Sequence, residues 1–407
     1  MIKKFISILV LSLILLTSPA MAGGLNSLPE AAQNHMSAVA VNHIPVCSPG
    51  ESGVSARCHS RVVVDANGQP KATSLPAGFG PAQLRGAYNL SGTANTKQII
   101  AIVDAYNDPN ILSDLNTYSS KFGLPSMNNC AVSSATPCFQ KVSQRGDTSY
   151  PSTNAGWSLE IALDVETAHA LCQNCSILLV EADSNSFANL IAAEDRAQTM
   201  GANVISNSWG GGEFSSETTT TYDGHFNKPG IAITFSSGDS GYGVEYPAAS
   251  KYVTAVGGTT LTLNGNNYVG ETAWSGAGSG CSAYETQPSF QNFLNPSICS
   301  NRAVADVSAD ADPNSGAAVY DSVRYQGRSG WFKVGGTSLA SPIIAATYAL
   351  AGNTSTINNG FPYANVLNNL HDIISGSNGS CGNLLCTAVA GYDGPTGLGS
   401  PLGTNAF

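Results

Sequence analysis

The stretch Val334-Gly-Gly-Thr-Ser-Leu-Ala-Ser-Pro-Ile-Ile-Ala-Ala346 decides how the rest of the chain is read. Its two glycines let the backbone turn tightly, so the segment predicts a turn feeding a helix with Ser338 at the helix start. Pro342 is expected within the first turn of that helix, where a missing N–H costs nothing. A serine so placed exposes its hydroxyl, and the helix dipole favours negative charge beside it. An isolated Gly-Thr-Ser is most often an ordinary helix cap. The full string Gly-Thr-Ser-x-Ala-x-Pro is far more restrictive, and it makes Ser338 a candidate nucleophile.

Outward from this point, apolar strand-like runs at residues 98–104, 176–181, 203–206 and 231–235 alternate with helical stretches at 110–122, 158–171 and 186–200. Buried strands separated by helices of this length imply a parallel sheet. The expected fold class is therefore α/β, with a mainly parallel central sheet and helices on both faces in three layers. One large domain over residues 79–407 accommodates it.

Two acidic elements are placed to serve the serine. In Trp157-Ser-Leu-Glu-Ile-Ala-Leu-Asp-Val-Glu-Thr-Ala168, Glu160 and Asp164 stand four apart and project from one helix face. Two carboxyls that close do not both ionise easily and share a proton. An acidic helix face is usually solvated, but Ile161, Leu163 and Val165 make this helix strongly apolar, which places its carboxyls near the core. In Ile231-Ala-Ile-Thr-Phe-Ser-Ser-Gly-Asp-Ser-Gly241, an apolar strand runs into a glycine-bracketed turn that holds Asp239. An Asx-turn is the ordinary reading, yet a turn at the end of a parallel strand faces the region where α/β enzymes bind ligands.

Together, Glu-x-x-x-Asp on a helix, Ser-Ser-Gly-Asp-x-Gly after a strand and Gly-Thr-Ser-x-Ala-x-Pro opening a late helix resemble the sedolisins, serine-carboxyl peptidases with a subtilisin-like fold. The similarity runs from about residue 80 to the C-terminus and includes Tyr246-Pro-Ala-Ala and Val256-Gly-Gly-Thr-Thr260. The resemblance implies a three-layer subtilisin-like fold and hydrolysis of protein or peptide substrates at acidic pH. In it, Ser338 attacks, Glu160 takes the serine's proton and Asp164 tunes Glu160. Asp239 stands where a subtilisin has its oxyanion-hole asparagine, so it must be protonated to donate a hydrogen bond. The family also implies supporting roles for Asp104, at the end of the first strand, and for Trp209. Near the C-terminus, His371-Asp-Ile-Ile-Ser-Gly376 and Ala390-Gly-Tyr-Asp-Gly-Pro-Thr-Gly-Leu-Gly399 resemble the sedolisin calcium loop. Carried over, Asp372 and Asp393 supply side chains, and Ile373, Val389 and Gly391 supply carbonyls, to one structural Ca2+.

Bulk properties fit an exported protein. Lys3 and Lys4 precede a short apolar run and Ala20-Met21-Ala22, the pattern of a secretory signal over residues 1–22. That run is too short to span a bilayer, and nothing later is longer, so no membrane anchor is expected. Residues 23–78 are weakly periodic and read as a short pro-segment or leader, which suits a zymogen. The net charge of −10 excludes nucleic acid as a partner. Only 11% of the residues are charged, so few native ion pairs are lost when carboxylates protonate. Ten cysteines fall as close neighbours, Cys47/Cys58, Cys130/Cys138, Cys172/Cys175, Cys281/Cys299 and Cys381/Cys386. Behind a signal peptide they are expected as local disulfides. The enzyme is expected to be secreted, extracellular or periplasmic, and to act as a monomer.

Competing readings remain at this level. His169 with Asp104 and Ser338 offers a conventional Ser-His-Asp peptidase, although His169 lies nine residues beyond Glu160, about two and a half helical turns. A binding protein that keeps the fold without turnover is another. His169, Cys172 and Cys175 offer three zinc ligands, against which export favours a disulfide. Asp310-Ala-Asp-Pro-Asn-Ser-Gly316 starts like an EF-hand loop, but its glycine falls one place late, and no ion is expected there.

Overall fold

A computed structural model describes residues 41–407; the export signal expected over residues 1–22, and the leader as far as residue 40, lie outside the described residues. The chain enters through three short strands, β1 (His43–Pro45), β2 (Arg57–Cys58) and β3 (Arg61–Val63), and then α1 (Pro81–Ala87). The core follows as β4 (Ile99–Ala105), α2 (Ile111–Phe122), β5 (Phe139–Ser143), α3 (Ala155–Leu171), β6 (Ser176–Ala182), α4 (Phe187–Thr199) and β7 (Val204–Asn207). Next come β8 (Trp209–Gly212), β9 (Ala232–Ser236), β10 (Glu245–Tyr246), β11 (Thr254–Asn264), β12 (Asn267–Ala273), β13 (Gly280–Thr286), β14 (Asn301–Val304) and β15 (Val307–Asp310). The hairpin β16 (Ala317–Tyr325) and β17 (Arg328–Gly335) leads into α5 (Thr337–Ala351).

The main sheet has the order β12-β11-β9-β7-β4-β6-β5, with β15 also on β11, and every pairing except the β11–β12 hairpin is parallel. Each residue of β4 and β6 is buried, which is why both read as mainly apolar runs, with Asp104 and Glu181 near their ends. α3 and α5 pack on each other, while α4 packs on β4 and β6, so the sheet is covered on both faces as expected. The expected helices lie within three residues of the observed ones. α3 begins three residues early because the Asn154 side chain accepts from the Gly156 and Trp157 N–H groups at 3.0 and 3.2 Å, an N-cap.

α3 has no wet face. Residues 156 to 171 are all buried, because α2, α5, β4 and β16 surround the helix. A helix that is apolar almost all round belongs in the interior, and Glu160 and Asp164 are carried there with it. The five neighbouring cysteine pairs are all disulfides. Cys172 and Cys175 are thereby unavailable to zinc.

Residues 41–78 do not form a body of their own. β3 pairs with β17 on one side and β1 on the other, through Val334↔Val62, Gly335↔Arg61 and Ile44↔Val62. β2 pairs with β8, and β8 with β10. Strands of two or three residues are too short to show a period, so the sequence presents them as irregular. Among the described residues no helix is long and apolar enough to cross a membrane.

Candidate active site

β17 runs into Gly336, whose φ of 102° is open to glycine, and α5 then begins at Thr337. A Cβ on Gly336 would collide with the His59 carbonyl oxygen and lie 2.6 Å from Asp239 Oδ2 and 2.8 Å from Ser60 Cα. The missing side chain therefore lets three groups converge at the N-terminus of α5. Pro342 is the sixth residue of α5 and lies beyond its first turn, which corrects the sequence expectation. The proline leaves the Ser338 carbonyl without its i+4 donor, and Ser208 Oγ donates to that carbonyl instead at 3.3 Å. Ser338 Oγ in turn donates to the Ser208 carbonyl at 3.2 Å.

Glu160, Asp164 and Asp104 form a buried acidic group behind the serine. None of their six carboxyl oxygens has a hydrogen bond of ordinary length. Burial pushes Glu160 up, while the facing Ser338 and Ser60 hydroxyls pull the other way less strongly and the Asp239 charge adds a little. Asp164 is raised well above the carboxylate range by burial, then by Asp104 and Glu160. Asp104 is raised likewise, by burial, then by Glu160 and by Glu181, its neighbour across the β4–β6 ladder. Carboxyls so enclosed do not all ionise together, so the group shares its protons and leaves one member able to accept another. Trp209 Nε1 donates to the Val103 carbonyl at 2.9 Å, which fixes the end of β4 where Asp104 sits. Its ring stands edge-on to Phe235.

Asp239 has two unlike oxygens. Oδ1 accepts from Thr337 N–H at 2.8 Å and Thr337 Oγ1 at 3.0 Å. Oδ2 is buried and has no partner. Burial raises this carboxyl's pKa, against smaller opposing effects from His59, the Thr337 amide and Arg61. A neutral Asp239 has one free oxygen to carry a proton toward whatever lies beside Gly336.

What lies there is the leader. Ala56 N–H donates to the Asn185 carbonyl at 2.8 Å, and Asn185 Nδ2 donates back to the Ala56 carbonyl at 2.7 Å. On the other edge, Arg57 and Cys58 pair with Gly210 and Trp209, and His59 N–H donates to the Ser208 carbonyl at 3.0 Å. The Ser338 N–H then donates to the His59 carbonyl oxygen at 3.0 Å. An extended peptide thus crosses the site with one carbonyl held by the Ser338 amide. No local motif points to His59, Ser60, Ser208 or Glu245 as neighbours of this site. Arg57, His59 and Arg61, three basic side chains within five residues of a chain poor in charge, were the available signal.

The other expected residues fall away from this centre. His169 Nε2 bonds the Pro125 carbonyl at 2.9 Å. At the C-terminal loops, the Gly391 N–H donates to Asp372 Oδ2 at 2.9 Å and the Val389 N–H to Asp393 Oδ2 at 3.1 Å. Burial raises Asp393 to about 7, and the Asp372 charge adds to this. The carbonyls of Ile373, Val389 and Gly391 accept no backbone hydrogen bond from turns or loops. Two carboxyls close enough to repel, with three free carbonyls on the same loops, make an all-oxygen donor set that fits a calcium ion.

The profile of the Subtilase family matches residues 155–359, half of the chain. Sedolisin from Pseudomonas sp. (strain 101) is 29% identical over 374 residues, covering 81% of this chain and 60% of that protein. Kumamolisin from Bacillus sp. (strain MN-32) is 30% identical over 389 residues, covering 86% of this chain and 67% of that protein. The chain thus spans less than two thirds of the length of the Pseudomonas relative. Among solved structures, Pseudomonas sedolisin, described as a serine-carboxyl proteinase complexed with two molecules of pseudo-iodotyrostatin, superposes with a TM-score of 0.67 at 28% identity, covering 80% of this chain and 96% of that one.

Proposed function

The chain belongs to the subtilase family, within the sedolisins, and on that footing we propose that it is a serine-carboxyl endopeptidase that cuts proteins or peptides in acid. Ser338 Oγ attacks the scissile carbonyl carbon, and its proton passes to Glu160. Asp164, with Asp104 behind it, holds Glu160 in position and shares protons with it. The Ser338 N–H and the protonated Asp239 Oδ2 donate to the oxyanion. Glu160 returns the proton to the leaving amine, and the second half-reaction repeats the relay with water. A carboxylate at Asp239 would repel the oxyanion, so acid favours the reaction.

One observation carries this reading: the Ser338 N–H already holds a peptide carbonyl, beside a buried carboxyl and a buried aspartic acid with a free oxygen. His169, engaged with Pro125, offers no support to a histidine-based relay. We assign export to the signal over residues 1–22, and one Ca2+ to Asp372, Ile373, Val389, Gly391 and Asp393. When bound, that ion cross-links two loops and supplies no step of the chemistry.

The test is a protease assay across pH. Ser338→Ala and Glu160→Gln are each expected to lower kcat by at least about 10^4-fold with the acid optimum present only in the wild type. Full activity in Glu160→Gln, or a neutral optimum, would dispose of the carboxyl relay. Complete inactivity of the folded wild type on every protein offered would leave a binding protein instead.

A further inference from the structure

The leader strand shows which side chain the groove accepts at the residue before the cleaved bond. With its carbonyl on the Ser338 N–H and its amide on the Ser208 carbonyl, His59 occupies that place and Ser60 follows the bond. The His59 side chain is fully buried. Its Nε2 pairs with Glu245 Oε2 at 2.8 Å, and its Nδ1 contacts Ser236 Oγ at 2.7 Å. Gly210 forms one wall, and a Cβ there would lie 2.8 Å from His59 Cε1, so the ring fills the space to contact. Glu245 is fixed on β10, across β8 from the leader strand. Its other oxygen receives Arg57 Nη2 at 2.8 Å, and Ser240 Oγ lies 2.6 Å from the same nitrogen. One carboxylate thus pairs with two basic side chains of the bound strand.

We propose that Glu245, with Ser236, forms the primary specificity pocket for a cationic side chain, imidazolium or guanidinium, and that the His59–Ser60 bond of the leader is its first substrate. The proposal rests on the peptidase reading and adds the substrate class. In the step itself, Ser338 Oγ bonds to the His59 carbonyl carbon and its proton goes to Glu160. The bond to the Ser60 nitrogen breaks, and Glu160 protonates that amine. Water then displaces Ser338 from the ester and frees the His59 carboxyl group. Cys47 and Cys58 both lie before the cut, so their disulfide does not tether the released piece to the enzyme. β3 lies after the cut and stays paired with β17. This places the boundary of the removed segment at residue 59, earlier than the composition change near residue 78.

The full chain and the Ser338→Ala variant are incubated in acid, and the new N-termini are read by mass spectrometry. The expected product begins at Ser60 and is absent from Ser338→Ala. His59→Arg is expected to keep the cut at this bond, and His59→Asp to lose it. The matured enzyme is then given nonapeptides copying residues 55–63, with alanine for Cys58 and with His, Arg, Phe, Leu or Asp in the place of His59. Cationic members should be cut with a kcat/KM about tenfold or more above Phe and Leu, a difference that Glu245→Gln should erase. If Glu245→Gln fails to fold, the wild-type peptide profile and the His59 variants decide alone. Maturation at another bond, or a flat profile across the peptides, overturns this proposal while the peptidase reading stands. Absence of any Ser338-dependent cut overturns both.

Discussion

Asp239 presents one oxygen to Thr337 and leaves the other unpaired beside the His59 carbonyl. The role proposed for it depends on a proton, and burial supplies the reason it keeps one. An amide donates without titrating, so Asp239→Asn should retain activity and extend it toward neutral pH, with its carbonyl on Thr337 and its NH2 toward the oxyanion. Asp239→Ala removes the donor and should cost about 10^2- to 10^3-fold in kcat. Paired kcat–pH profiles check this; an unmoved alkaline limb in Asp239→Asn would assign that limb to another carboxyl. At this scale the sequence was informative where a residue sits in a local motif. Ser338, Glu160 and Asp239 each carry their signal within a few neighbours. The Glu245 pocket does not, because His59 meets Ser236 and Glu245, 177 and 186 residues further on, only after the fold brings the two stretches together.

Elements were legible in proportion to their length. β4, β6 and α3 announce themselves because burial on both faces of a sheet, or all round a helix, demands mainly apolar sequence, and α4, buried on one face, shows the helical apolar period instead. β1, β2 and β3 carry two or three residues each and are strands only by virtue of their partners. The C-terminal loops make the same point. β18 (Leu370–His371) and β19 (Ser400–Pro401) form a two-residue ladder, and Asp372 follows the first strand directly. With so little hydrogen bonding of their own, these loops should depend on the proposed ion. Removing it with a chelator is expected to lower the Tm by about 5 °C and restoring Ca2+ to recover it, by mass action of a ligand that binds only the folded state. A Tm unmoved by chelator and by added Ca2+ would count against the site. Asp372→Ala, tested alongside, should abolish the calcium response.

Across the described residues, carboxyls are buried well beyond the proposed catalytic group. Burial is the first cause in each case, raising Asp108, Glu181 and Glu285 to about 7, Glu194 and Asp321 to about 8, Asp223 to about 6 and Glu217 to about 9. In the unfolded chain such groups titrate near their ordinary values of about 4. Below about pH 4 both states hold the proton, and the stability contributed by neutral burial is fully present. As pH rises, the unfolded state loses its protons first, so stability falls continuously through pH 6 to 9, where the folded carboxyls finally ionise. Glu245 and His169 run the other way: despite its burial, His59 and Arg57 hold Glu245 at about 2, so its contribution is lost as pH falls through that value, while burial lowers His169, whose contribution is likewise lost as pH falls. The two trends leave a fold that is most stable in moderate acid. Calorimetry of Ser338→Ala, used to prevent self-digestion, should therefore give its highest Tm near about pH 4 and a steady decline toward pH 8. A Tm that is flat or rising over that interval would mean that these carboxyls are ionised and solvated in the folded protein, and that the core gives no support to the proposed activity in acid.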